Sequence, residues 1–189
     1  MPPRARLRLA ATQRLERELE FAGEAALRRI ALAAELATRA VTRDALVSEA
    51  WLFERLTGVR SRDADATPSL VGQAVAMDMA SLALRLSERA PLDAASLPGG
   101  AVPLAEAARA LGVTARSLQR WKREGLAMVR LRARGGTRTA LSGEAIEWCR
   151  AGPLARARTC ARDPGRRARL VQLGAQMSKE GESLHAVAR

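Results

Sequence analysis

Apolar residues recur at three- and four-residue spacing through most of the first ninety positions, which predicts helices. From about Leu7 to Ala40 the residues are strong helix formers, and Leu15, Leu19, Ala22, Ala26 and Ile30 make one stripe, so one long amphipathic helix is expected there. Arginine and glutamate alternate on its other face, as on a solvated surface. Thr42 is placed to cap a second helix from Arg43 to about Thr57, with Leu46, Val47, Ala50, Trp51, Phe53 and Leu56 apolar and Gly58 where a left-handed C-terminal residue belongs. The run from Arg60 to Ala66 reads as a loop. Thr67-Pro68 then opens a third helix to about Arg89, burying Leu70, Val71, Ala74, Val75, Leu82 and Leu86. The expected N-terminal helical region, 1–90, ends in a linker, 91–102, that contains Pro98-Gly99-Gly100.

From Pro103 the pattern becomes denser. Leu104, Ala107, Ala108 and Leu111 face one side of a short helix that Gly112 breaks, and Val113 follows as a plug. Thr114 is a good N-cap for a second short helix, Ala115 to Glu124, in which Leu118 and Trp121 point inward before Gly125 closes it. Two short helices joined by a tight turn are the layout of a DNA-reading helix-turn-helix, whose second helix enters the major groove. With Leu118 and Trp121 inward, the outward positions are Arg116, Gln119, Arg120 and Arg123, flanked by Ser117 and Lys122. Arginine pairs with guanine and glutamine with adenine, while further cations hold phosphates.

The period then changes from helical to alternating. Val129, Leu131 and Ala133 alternate with Arg130, Arg132 and Arg134, Gly135-Gly136 offers a turn, and Thr137, Thr139 and Leu141 are expected to resume the inward set around Arg138. This is an arginine-faced β-hairpin. Ser142 caps a closing helix from Gly143 to Arg150, with Ile146 and Trp148 available for packing. The fold expected is therefore mainly α: an N-terminal helical unit, a winged helix-turn-helix at 103–151 with a small β-hairpin, and a basic helical tail at 152–189.

Charge sharpens this picture. The chain carries a net charge of +12, almost all of its cations being arginine, which favours a polyanionic partner. Between Pro103 and Arg150 ten cations face four anions, so half of the excess lies where the motif lies. Cys149, Cys160 and His185 are too few for a four-ligand zinc site, and two cysteines make no disulfide framework, so reduced thiols in the cytoplasm, no metal and no cofactor are expected. No segment is apolar enough to span a bilayer. The acidic residues are spread as helix surface charges, and no enzyme is expected.

The stretch Leu104 to Trp121 resembles the winged helix-turn-helix of MerR and excisionase-type proteins. A wider likeness, from about Val41 to Arg189, is to a divergent branch of sigma-70-type RNA polymerase sigma factors, with the motif Leu52-Phe53-Glu54-Arg55-Leu56-Thr57-Gly58-Val59-Arg60 ahead of the winged domain, and Arg166 to Leu170 and Gly181 to Leu184 after it. That resemblance implies a sequence-specific initiation factor, or the front part of one, with double-stranded DNA and core RNA polymerase as partners. The rival readings are a MerR- or excisionase-like regulator or recombination accessory factor, and a helical protein-interaction scaffold. In the tail, Leu170, Val171, Leu173 and Met177 share a helical face and Ser183 can cap Leu184 to Arg189, which reads as a second helix-turn-helix interrupted at its first helix.

Overall fold

The computed structural model describes residues 7–60 and 69–151. The expected long N-terminal helix is two: α1 (Ala10–Glu18), a single 3-10 turn (Leu19–Phe21) and α2 (Glu24–Ala40). The break lies at Ala22 and Gly23, both extended, and it turns the chain so that α2 can run along α4 (Gly72–Arg89). The stripe survives the break, with Leu15, Leu19 and Ile30 buried. Small residues let the two long helices approach closely: Ala31, Ala34, Ala80 and Ala83 have no exposed surface.

The second and third helices each start later than the sequence pattern suggests. Leu46–Ser48 is a short strand, β1, and the helix that follows, α3 (Glu49–Thr57), is capped by Ser48, whose Oγ accepts from the Trp51 amide at 3.1 Å. Gly58 closes it in the left-handed region at φ 75°. Ser69–Val71 is a second strand, β2, antiparallel to β1, and α4 begins only at Gly72. Leu70 and Val71 therefore belong to a ribbon, not to a buried helical face, and Val71 is exposed. The Thr67-Pro68 start signal lies outside the described residues.

The stretch 91–102, expected as a linker, is packed into the structure. Leu92 and Leu97 are buried in the main core. Leu92 bridges to Leu131 in strand β4 (Val129–Ala133): its amide donates to the Arg130 carbonyl at 2.9 Å, and its carbonyl accepts from the Arg132 amide at 2.9 Å. The Arg130 amide donates to Ser87 Oγ at 2.9 Å. The winged segment thus shares one compact unit with the N-terminal helices, in which the described residues up to Trp148 lie.

That segment is built from β3 (Ala101–Pro103), α5 (Leu104–Ala110), α6 (Ala115–Lys122), β4, β5 (Gly136–Ser142) and α7 (Gly143–Ala151), with sheet order β3-β5-β4 and both pairings antiparallel. Gly112 takes φ 59° in the turn between α5 and α6. Thr114 Oγ1 accepts from the Ser117 amide at 3.1 Å, and Ser142 Oγ from the Ala145 amide at 3.1 Å, so both expected caps form. Ser142 Oγ also donates to the buried Glu35 of α2 at 2.6 Å, and Arg39 pairs with both Glu35 and Glu144, tying α2 to the start of α7. The tail 152–189, with its expected second helix-turn-helix and the sigma-like motifs after Arg166, lies outside the described residues.

Candidate nucleic-acid interface

Helix α6 is short, so its packing decides which side it shows. Leu118 is fully buried and Trp121 nearly so, and they seat the helix on α5. The side left in solvent carries Arg116, Gln119, Arg120 and Arg123, which line one shallow groove together with Thr114 and Ser117. Ser117 is half-buried and engaged in the cap, its hydroxyl 3.0 Å from that of Thr114. Among the described residues none of Arg116, Arg120 and Arg123 has an ion-pair partner, so the groove holds a concentrated, uncompensated positive charge.

Two of the cations named from sequence are half-buried instead. Lys122 is half-buried at the end of α6. Desolvation pulls its ammonium below the usual lysine range, with Glu88 opposing the shift and Arg123 and Arg130 adding to it. Its charge is therefore a cost to folding at neutral pH, relieved as pH rises through its lowered pKa toward the ordinary lysine value. Arg130 is held at both ends of its guanidinium, Nη1 donating to Thr139 Oγ1 at 2.8 Å and Nη2 lying 4.0 Å from Glu88 Oε1. Glu88 of α4 thus pairs loosely with Arg130 and favours the charged form of Lys122. Nothing local in the sequence marks it, because it lies far up the chain from both.

The hairpin also differs from the expected alternation. Ala133 stands opposite Gly136, so the turn is Arg134-Gly135, with Gly135 at φ 84°. Opposite residues share a face, and the register pairs Arg130 with Thr139 and Arg132 with Thr137. Both threonines therefore lie on the arginine face, while Arg138 lies opposite Leu131 on the other one. Near the tip both faces are solvated, and Arg132, Arg134 and Arg138 are all exposed. The sheet is anchored at its other end, where Val129 and Ala140 enter the core.

The segment is thus a strand leading into two short helices, an arginine-bearing hairpin and a closing helix. Residues 102–151 match the MerR HTH family regulatory protein model. The matched segment runs from β3 to the end of α7, so the MerR-type helix-turn-helix accounts for the groove, the wing and the helix that closes them. No curated protein and no solved structure matches the chain. Among the described residues no helix is long and apolar enough to cross a membrane, and no cluster of His, Cys, Asp and Glu is arranged to hold a metal ion.

Proposed function

We propose that this chain is a DNA-binding transcription regulator that reads duplex DNA with α6 and braces it with the β4–β5 wing. The observation that carries the reading is the exposed face of α6, where Arg116, Gln119, Arg120 and Arg123 converge on one groove without an acidic partner among the described residues. In the major groove Arg116 and Arg120 meet guanine edges and Gln119 meets adenine, while Arg123, Arg132 and Arg134 hold phosphates. The reading assigns no catalysis and no cofactor, and it sets the protein in the cytoplasm. The MerR-type match favours a regulator over the sigma-like initiation factor suggested by the motif at Leu52–Arg60, and core RNA polymerase has no part in this reading.

The test is enrichment of a binding site from a randomised duplex library at fixed salt, followed by titration of the enriched duplex. Arg120→Ala is expected to cost about 1–3 kcal/mol on that duplex and to relax its choice at one base pair. Unchanged affinity and selectivity would remove α6 from the reading.

The wing makes a separate expectation. Replacing Arg132 and Arg134 with Ala weakens enriched and scrambled duplexes alike and flattens the slope of log K against log salt by roughly one unit for each phosphate no longer held. A weakening confined to the enriched sequence would make the hairpin a base reader.

A further inference from the structure

The strand-into-helix arrangement that frames the MerR-type segment occurs twice in this chain. Val47-Ser48 leads into α3 with buried Leu52 and Leu56 and a left-handed glycine, Gly58; Val102-Pro103 leads into α5 with buried Ala107, then Leu111 and the left-handed Gly112. Leu70-Val71-Gly72-Gln73-Ala74-Val75 ends β2 and opens α4; Leu141-Ser142-Gly143-Glu144-Ala145-Ile146 ends β5 and opens α7.

The strand registers coincide: Val47 stands opposite Leu70 as Val102 stands opposite Leu141, and Leu46 opposite Val71 as Ala101 opposite Ser142. Three backbone hydrogen bonds repeat in equivalent places. Ala45 N donates to Thr42 O at 3.1 Å and Gly100 N to Leu97 O at 3.0 Å; Gly72 N to Ala45 O and Gly143 N to Gly100 O, both at 2.8 Å; Gln73 N to Arg43 O at 2.9 Å and Glu144 N to Pro98 O at 3.3 Å. Each second helix begins at a glycine because a Cβ there would run into a backbone carbonyl of the preceding turn, that of Thr42 for Gly72 and that of Gly99 for Gly143.

The two differ in what lies between their halves. The second has α6 and β4 in the span 112–139, whereas the corresponding span of the first, 58–68, is less than half as long. Ala11 and Leu15 of α1 line one small cavity with Leu52 and Leu56 of α3.

The first arrangement instead touches the turn that ends the reading helix of the second. Arg43, in the turn before β1, donates from Nη2 to the Glu124 carbonyl just beyond α6 at 3.1 Å. Ala76, near the start of α4, lies against Gly125, where a Cβ would sit 3.1 Å from Ala76 Cβ. Both contacts fall on the turn that follows α6, directly after Arg123, the last of the groove-lining arginines.

We propose that residues 42–76 repeat the strand-into-helix frame of the winged unit at 97–147 and work as a clamp on the turn that ends α6, with Arg43 as a positioning residue for DNA reading. The proposal rests on α6 reading DNA. The test uses the full chain, the enriched duplex and a scrambled one. Arg43→Met keeps the side-chain stem and removes the donor; it is expected to lower the preference for the enriched over the scrambled duplex by about tenfold, within the range of remote couplings. The salt slope stays unchanged, because the same phosphates are held. Arg43→Lys, which still donates, restores most of the preference. Ala76→Val, which presses on Gly125 without touching Arg43, lowers it too, and keeps the test open should Arg43→Met fold poorly. Wild-type preference in folded Arg43→Met and Ala76→Val overturns the clamp while leaving the DNA reading intact. A salt slope reduced by about one unit in Arg43→Met overturns it differently, by making Arg43 a phosphate ligand. If the wild-type chain enriches no duplex, both readings fall.

Discussion

Asp78→Ala is expected to destabilise the protein by about 3–5 kcal/mol, a large share of the roughly 5–15 kcal/mol that holds a domain folded. Asp78 sits in the middle of α4 with 1% of its surface exposed. Its carboxylate accepts from the Arg8 amide at 2.9 Å, the Leu9 amide at 2.8 Å and Thr12 Oγ1 at 2.6 Å. Leu9, at the N-cap of α1, has no side chain able to cap the helix. The capping group therefore comes from another helix, and it fixes α1 against α4 as it does so. Removal strands the buried Thr12 hydroxyl, a loss of about 1–3 kcal/mol, leaves two partly buried amides without their acceptor, and withdraws a negative charge from a helix N-terminus. Asp78→Asn keeps an acceptor but turns an amide donor toward other donors, so it recovers only part of the loss. Thermal or urea unfolding checks this: a midpoint for Asp78→Ala that matches the wild type would mean that α1 is not anchored through this carboxylate.

Asp78 also marks where sequence reasoning stops. The helix-turn-helix was legible because its signals are local. Thr114 caps a helix that starts at the next residue, Gly112 turns the chain just before it, and Leu118 and Trp121 fix a face one turn apart. The cap on α1 comes from a residue 66 positions beyond Thr12, and no local window contains it. Strands β1 and β2 were hidden for a related reason. Each has three residues, and Leu46-Val47 and Leu70-Val71 fit the start of an amphipathic helix until they meet each other. A run that short has no period to measure, so pairing decides it. The wing departs from the expected alternation by parity. A two-residue turn makes opposite residues one odd and one even, which puts Thr137 and Thr139 with the arginines and Arg138 with Leu131. The exposed face of α6 survives these errors because it depends only on the two residues that bury the opposite side.

A different buried carboxylate joins the N-terminal helices to the winged segment, and Glu35→Ala is expected to cost about 3–5 kcal/mol, the usual loss when one partner of a buried ion pair is removed. Glu35 is 1% exposed on α2. Its Oε1 pairs with Arg39 and accepts from Ser142 Oγ at 2.6 Å, and its Oε2 has no hydrogen-bond partner among the described residues. Truncation leaves the Arg39 guanidinium, itself only 12% exposed, facing Ser142 and Glu144 without its closest counter-charge. Ser142 still caps α7, so the loss falls on the joint between α2 and α7 and not on the helix-turn-helix itself. Two further results separate this account from a general weakening of the core. The double change Glu35→Leu with Arg39→Met removes both charges while keeping most of the volume, and it is expected to recover most of the stability, because an apolar pair needs no desolvation of ions. Duplex binding well below the melting transition is expected to keep its wild-type salt slope in both variants, since neither residue lies in the α6 groove or on the wing. A double variant as unstable as Glu35→Ala would mean that the pair supplies net attraction beyond its desolvation cost. A changed salt slope would mean that the joint sets how many phosphates the winged segment reaches.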